Sequence, residues 1–248
     1  MEMLSHMFPL TSSWLQITKD GANAVDWSSN LKGSDEILQK MRNHSPHLAV
    51  IGRGNDDITS LLFQGAVSCG AKDFTVVFIC PHPLDKIPSA VHGMPKPEAN
   101  ILQNVHFQYL KNVEELVNYC ASIHTRSVMP DVVMVDDLNH YIGQEKKGEH
   151  GLAKLCAHLL DCVTFISSKN ERDLCRLIVG CQECHEIQSY TLEKFRLTPV
   201  LIEGTSVLNQ RKLSTKMENV EITLQYKVAQ EAIFLKDVEF IRREQDQT

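Results

Sequence analysis

His47-Leu-Ala-Val-Ile-Gly-Arg-Gly-Asn-Asp-Asp-Ile-Thr-Ser-Leu-Leu-Phe63 decides how the rest of the chain is read. An apolar run, Leu48–Ile51, predicts a buried strand. A short polar loop follows, then an amphipathic helix over Thr59–Ser68. Strand, glycine loop and helix form a phosphate-binding loop when the free N–H groups and positive dipole end of the helix face an anion. The pattern G-x-x-x-x-G-K-[ST] is half met: Gly52, Gly54 and Thr59 are present, but Ile58 stands at the lysine position. Asp56 and Asp57 add negative charge where a polyanion would sit. At about 4 Å each such contact costs on the order of 1 to 4 kcal/mol, depending on the local dielectric. The same carboxylates suit an empty helix N-terminus. A self-capped loop is therefore favoured over a working one.

Working outward, Phe74–Cys80, Asp131–Asp137 and Arg176–Gln182 are further apolar strands, as in a parallel sheet covered on both faces. Val105–Leu110 alternates as a strand, and Pro81–Ser89 is a proline-broken loop. Asn112 with a glutamate three residues on opens a helix that runs to about His124. Leu152, Leu155, Cys156, Leu159, Leu160, Val163 and Ile166 lie at helical spacing. Tyr190–Leu197 reads as helix and Val200–Ile202 as a short strand. The segments 220–226 and 232–240 alternate as an antiparallel hairpin. Strands alternating with helices predict an α/β fold with a mostly parallel sheet, flanked by helices and closed by this hairpin. The expected division is an N-terminal extension over 1–45, a core over 46–241 and a polar tail over 242–248. The extension has a short helix from Ser34 and two possible anchors, Trp14 and Trp27.

Composition narrows the function. The 248 residues carry a net charge of −6, so nucleic-acid binding needs a local patch. The candidate patches are Arg211, Lys212 and Lys216 before the hairpin, and Arg242 and Arg243 after it. A solvated face is the more common meaning of such pairs. No run approaches the roughly 18 apolar residues of a membrane span. The N-terminus lacks the features of a secretory signal, which predicts a reducing compartment and eight free thiols. Cys181-Gln-Glu-Cys184-His185 matches a C-x-x-C half-site, but no second clustered pair completes a zinc site. A chance pair is favoured. The eight histidines from His82 to His185 are scattered without a catalytic spacing.

Asp131–Asp137 has the form of a Walker B strand, with Asp136 at its carboxyl end, where such an aspartate meets magnesium. Strand ends also carry Asp simply because they meet solvent. Gln182 ends another buried strand, where ligands of open α/β sheets gather. It is a γ-phosphate sensor or a solvated strand end.

The order of these features resembles the small RecA-like recombinase paralogues. Thr59-Ser-Leu-Leu-Phe63, Val76-Val-Phe-Ile-Cys-Pro-His-Pro-Leu84, Ile101-Leu-Gln-Asn-Val-His-Phe-Gln-Tyr109 and Val132-Val-Met-Val-Asp-Asp-Leu-Asn-His-Tyr141 carry the resemblance. It is nearer still to the ATPase-like subunit of the metazoan Shu complex, associated with a SWIM-type zinc-finger protein. It covers about residues 47 to 240. It implies a RecA-like core and a nuclear role in homologous recombination. It also implies a SWIM-type partner, binding to single-stranded DNA and support of recombinase filaments. By position, Gly52, Gly54 and Thr59 fall on its phosphate loop, Asp136 on its magnesium site and Gln182 on its strand-end sensor. Family members are single-stranded-DNA-stimulated ATPases whose DNA binding does not need the ATPase activity. Ile58 departs from the pattern, so ATP and magnesium are expected to be bound weakly or not at all. The rival expectation is an active ATPase in which another basic residue, Arg53, replaces the lysine.

Overall fold

A computed structural model describes residues 3–10, 47–126, 129–142, 148–170, 172, 174–183, 189–217, 220–229 and 231–242. Trp14, Trp27, the helix from Ser34, Cys184, His185 and Arg243 lie outside the described residues, as do the side chains of Asp56 and Arg242.

Among the described residues, ten strands form one sheet. In chain order they are β1 (His47–Gly52), β2 (Val76–Cys80), β3 (Ala90–Val91), β4 (Val105–Tyr109), β5 (Val132–Val135), β6 (Arg176–Gln182), β7 (Leu197–Gly204), β8 (Gln210–Met217), β9 (Val220–Ala229) and β10 (Ala232–Arg242). Their spatial order is β3-β10-β9-β8-β7-β1-β6-β5-β2-β4. From β7 to β4 the strands are parallel, and from β7 to β10 they are antiparallel. The expected two-stranded hairpin is thus the outer part of a four-stranded antiparallel meander. Arg211, Lys212 and Lys216, expected ahead of the hairpin, are strand residues of β8.

The central strands are apolar on both faces because both faces are covered. Leu48 and Val50 of β1, with Val76 and Phe78 of β2, join one core layer; Ala49, Ile51, Val77 and Ile79 join the other. The first layer is roofed by helix α2 (Asn55–Gly70) and the short helix α1 (Leu4–Met7). The second is covered by α4 (Val113–Ala121), α5 (Leu138–Ile142), α6 (Gly148–Lys169) and α7 (Ser189–Lys194); α3 (Ala99–Leu102) precedes β4. Asn112 caps α4 as its sequence predicts: its side chain accepts from Glu115 N–H at 2.9 Å, and the Glu115 carboxylate accepts from Lys111 N–H at 2.7 Å. Length and composition alone would let residues 150–169 of α6 cross a membrane, which the sequence reading missed. Leu152, Leu155, Leu159, Val163 and Ile166 are instead buried against the sheet.

Part of the N-terminal extension is core. Met3, Leu4, Met7, Phe8 and Leu10 are each at most 1% exposed, and the Phe8 ring lies 5.5 Å from that of Tyr226 on β9. These apolar side chains are the anchors that the structure describes in the extension.

The Pro81–Ser89 loop continues into a strap. Ser60, Gln64 and Ser68 recur every four residues along one face of α2 and are buried. Ser60 Oγ accepts from Ser89 N–H at 3.2 Å, and the Gln64 side chain accepts from Val91 N–H at 3.0 Å and donates to Pro95 O at 3.0 Å. Beyond α2 the strap pairs with β10 as β3, and His92 N–H donates to Ile233 O at 2.8 Å. Gln64→Leu keeps the bulk but strands the buried Val91 N–H, so it is expected to cost about 1–3 kcal/mol. The expected readout is a lower urea midpoint at unchanged slope.

Candidate functional site

The carboxyl ends of β1, β5 and β6 meet at one edge of the parallel sheet, where open α/β sheets hold ligands. Gly52 pairs with Gln182 across β1 and β6, and Glu183 N–H donates to Gly52 O at 2.8 Å. Asn139, which the sequence reading missed, clamps this edge. Its side chain accepts from Gln182 N–H at 2.7 Å and donates to Gln182 O at 3.1 Å. Its only sequence signal is an amide three residues after Asp136.

The glycine loop is shorter than its sequence predicts. Helix α2 begins at Asn55, four residues before the expected Thr59, with Gly54 as an extended N-cap that makes no side-chain cap. Only Arg53 and Gly54 separate strand from helix. The residues that would arch over phosphates are the first helical turn. Acidic residues there are stabilised by the helix dipole, which a free anion would otherwise use.

Ile58 completes the closure. It is 1% exposed and packs downward onto the sheet. A Cβ added to Gly180 of β6 would stand 2.6 Å from Ile58 Cγ2, and one added to Gly52 would stand 3.5 Å from Ile58 Cδ1. Gly180 thus makes room for Ile58. The lysine position has become a core position.

Charged neighbours seal the sides. Arg211 Nε donates to Asp57 Oδ2 at 3.1 Å, joining the first turn of α2 to β8. The Tyr226 hydroxyl is buried without a hydrogen-bond partner among the described residues. Burial raises its pKa, Asp57 raises it further and Arg211 opposes them. Arg53 pairs with Glu183 at 3.0 Å, where the two side chains are 84% and 61% exposed. Such an open pair contributes little to stability.

One half of a nucleotide site is assembled. The Thr59 hydroxyl donates to Asp136 at 2.8 Å and 3.0 Å to its two carboxylate oxygens. Asp136 is 6% exposed. Burial lifts its pKa from 3.8 to about 6; the Thr59 hydrogen bond opposes the rise and Asp137 adds to it. A hydroxyl beside a carboxylate suits a divalent cation. The phosphate half does not fit: there is no lysine at position 58, and the loop before the helix is two residues long.

The basic candidates separate. Arg211 shares the inward face of β8 with the buried Leu213 and Thr215, whereas Lys212 and Lys216 alternate onto the other face, where Lys212 is half-buried and Lys216 exposed. Arg242 ends β10. Cys181 is fully buried, and its thiol donates to Val50 O at 3.7 Å. Among the described residues no three His, Cys, Asp or Glu side chains are grouped to hold a metal ion.

No family model matches the chain. It is 29% identical over 150 residues to ATPase SWSAP1 of Mus musculus, an alignment that covers 58% of this chain and 52% of that protein. The chain therefore spans about half the length of the curated relative it matches. The crystal structure of the RadB recombinase superposes with a TM-score of 0.55 over 78% of this chain and 92% of the other, at 13% identity, a likeness of fold. The chain is RecA-like in fold, and it resembles a RecA-like recombinase paralogue.

Proposed function

We propose that this protein is a nuclear accessory factor of homologous recombination whose nucleotide site has closed. It works as a scaffold with a SWIM-type zinc-finger partner, binds single-stranded DNA and supports recombinase filaments. The observation that carries the closed site is Ile58, buried against Gly180 where a phosphate loop needs lysine. The resemblance to recombinase paralogues supports the pathway and the partner. A fluorescent ATP analogue with magnesium is expected to show no low-micromolar binding, and ATP turnover is expected to stay at background with or without single-stranded DNA. Copurification with a SWIM-domain protein is expected to give a stable complex. Absence of a complex would remove the partner from this reading.

A second reading has its own observation. Thr59 and Asp136 are paired as a cation site requires, and the mouse relative is named an ATPase. Under that reading the protein is a DNA-stimulated ATPase, and Asp136→Ala abolishes turnover. Turnover that survives Asp136→Ala belongs to a contaminant.

DNA contact is assigned to Lys212 and Lys216 on the outer face of β8, with Arg242 and Arg243. Each phosphate contact removed from a single strand flattens the salt dependence of log K by about 0.7. Lys212→Ala with Lys216→Ala is therefore expected to lower the slope by about 1.4 in a fluorescence-anisotropy titration. An unchanged slope would assign the contacts elsewhere.

A further inference from the structure

We propose that His82 and His140 form a two-histidine site for zinc, an ion that ties the loop after β2 to α5. The residues are remote in sequence, and neither is part of the Thr59–Asp136 pair. His82 follows the carboxyl end of β2, and His140 lies in α5, which follows the carboxyl end of β5. Their ring centres lie 5.7 Å apart, with the planes at 79°. Two imidazoles bonded to one tetrahedral zinc at about 2.0–2.1 Å have ring centres roughly 5.2 Å apart. The difference of about 0.5 Å is within the adjustment of an exposed side chain such as His82.

The backbone prepares both ligands. His82 stands between Pro81 and Pro83, and a residue before proline is held extended. The His140 Nε2 lies 2.8 Å from Lys111 O. A carbonyl oxygen only accepts, so Nε2 carries a proton and donates it. That bond sets the ring orientation and makes Nδ1 the nitrogen that meets a metal. Metal-ligating histidines are steadied in the same way, through a second N–H given to a carbonyl or carboxylate.

The local field suits a cation. The Tyr141 ring lies 5.3 Å from that of His140. Burial raises the Tyr141 pKa, and Cys80, Asp137, Asp136 and Glu115 raise it further. Glu115 is fixed by Lys111 N–H, which donates to its Oε2 at 2.7 Å. The Lys111 ammonium opposes this field from an exposed residue, where solvent screens it. Imidazole ligands select zinc, copper or nickel over magnesium and calcium, which keep to oxygen. Among the described residues no third His, Cys, Asp or Glu is grouped with the pair, so water completes the coordination and the ion exchanges freely.

The test uses the full chain, stripped with EDTA and dialysed. Calorimetric titration with zinc chloride is expected to show an equivalent whose affinity falls at least tenfold in His82→Ala and in His140→Ala. His140→Ala also gives up the bond to Lys111 O, so the exposed His82→Ala, which keeps the fold, is the deciding variant. Nitrogen-15 spectra of the imidazole rings are expected to show zinc shifting His82 and His140, with Nδ1 as the ligand atom of His140. Absence of zinc binding, or unchanged affinity in His82→Ala, would overturn the proposal and leave the pair as ring packing alone. So would binding that survives His82→Ala but is lost in Cys184→Ser or in Asp136→Asn, which would place the ion at the C-x-x-C half-site or beside Thr59.

Discussion

Ile58→Lys, the substitution that restores the phosphate-loop lysine, is expected to destabilise the protein and to add no nucleotide binding. Ile58 is 1% exposed, wedged between Gly52 and Gly180. The lysine would forfeit the burial of the isoleucine and force an ammonium toward the core, beneath the positive end of α2. Loss of a large buried aliphatic group, with a charge introduced, is expected to cost about 4 kcal/mol. In a chain of this size that lowers Tm by roughly 8–16 °C. Differential scanning fluorimetry and urea titration read it. Ile58→Met, of similar volume, is the control and is expected to cost under about 1.5 kcal/mol. An Ile58→Lys protein of unchanged midpoint that binds the ATP analogue would show the loop to be open, and the scaffold reading would fall.

Asp136→Asn is expected to stabilise the protein at neutral pH. The folded-state pKa of Asp136 is raised from 3.8 to about 6, chiefly by burial. Between those values the folded state holds a proton that the unfolded state has released. Stability therefore falls as pH rises through this window, and the loss is complete above about pH 6. The full effect is about 3 kcal/mol at neutral pH and near zero below about pH 4. Asparagine carries no charge, and its carbonyl oxygen still accepts from Thr59. The variant should thus melt higher than the parent at pH 7.5, by roughly 6–12 °C, and match it at pH 4. A pH-independent gap would put the effect in packing instead of ionisation. A carboxylate kept ionised at such a cost has a use, and a divalent cation is the partner its geometry suits. Magnesium is accordingly expected to raise the Tm of the parent and leave Asp136→Asn unmoved.

The sequence was most legible where a strand is apolar on both faces. β1, β2, β5 and β6 fall within a residue or two of the runs that announce them, because only a covered parallel strand tolerates such continuous hydrophobicity. The capping pair Asn112–Glu115 was equally direct, since both partners lie within one turn. Three features stayed hidden, each for a physical reason. Asn55-Asp56-Asp57 suits a polar loop and the first turn of a helix equally, so the start of α2 was placed four residues late. Arg211 looked like surface charge because Asp57, its partner, is 154 positions away. β8 looked like a basic stretch because one of its faces carries Lys212, Ser214 and Lys216, although Leu213 and Thr215 mark the buried one. At the site itself, the order of Thr59 and Asp136 was readable from the motifs, but the inward turn of Ile58 depends on Gly180, five strands later in sequence.

The buried N-terminal segment has a consequence for synthesis. Phe8 packs on Tyr226, so this contact cannot form until β9 has been synthesised, long after Phe8 itself. At about 5–20 residues per second the interval is roughly 10–45 s. Through that time the face of Phe8 that Tyr226 covers is open to whatever chaperone is at hand. The strap waits as well, since β3 has no strand to join before β10 is made. A transcript truncated ahead of Tyr226 would then yield a chain with intact central strands and an uncovered layer, a substrate for degradation instead of a smaller working protein.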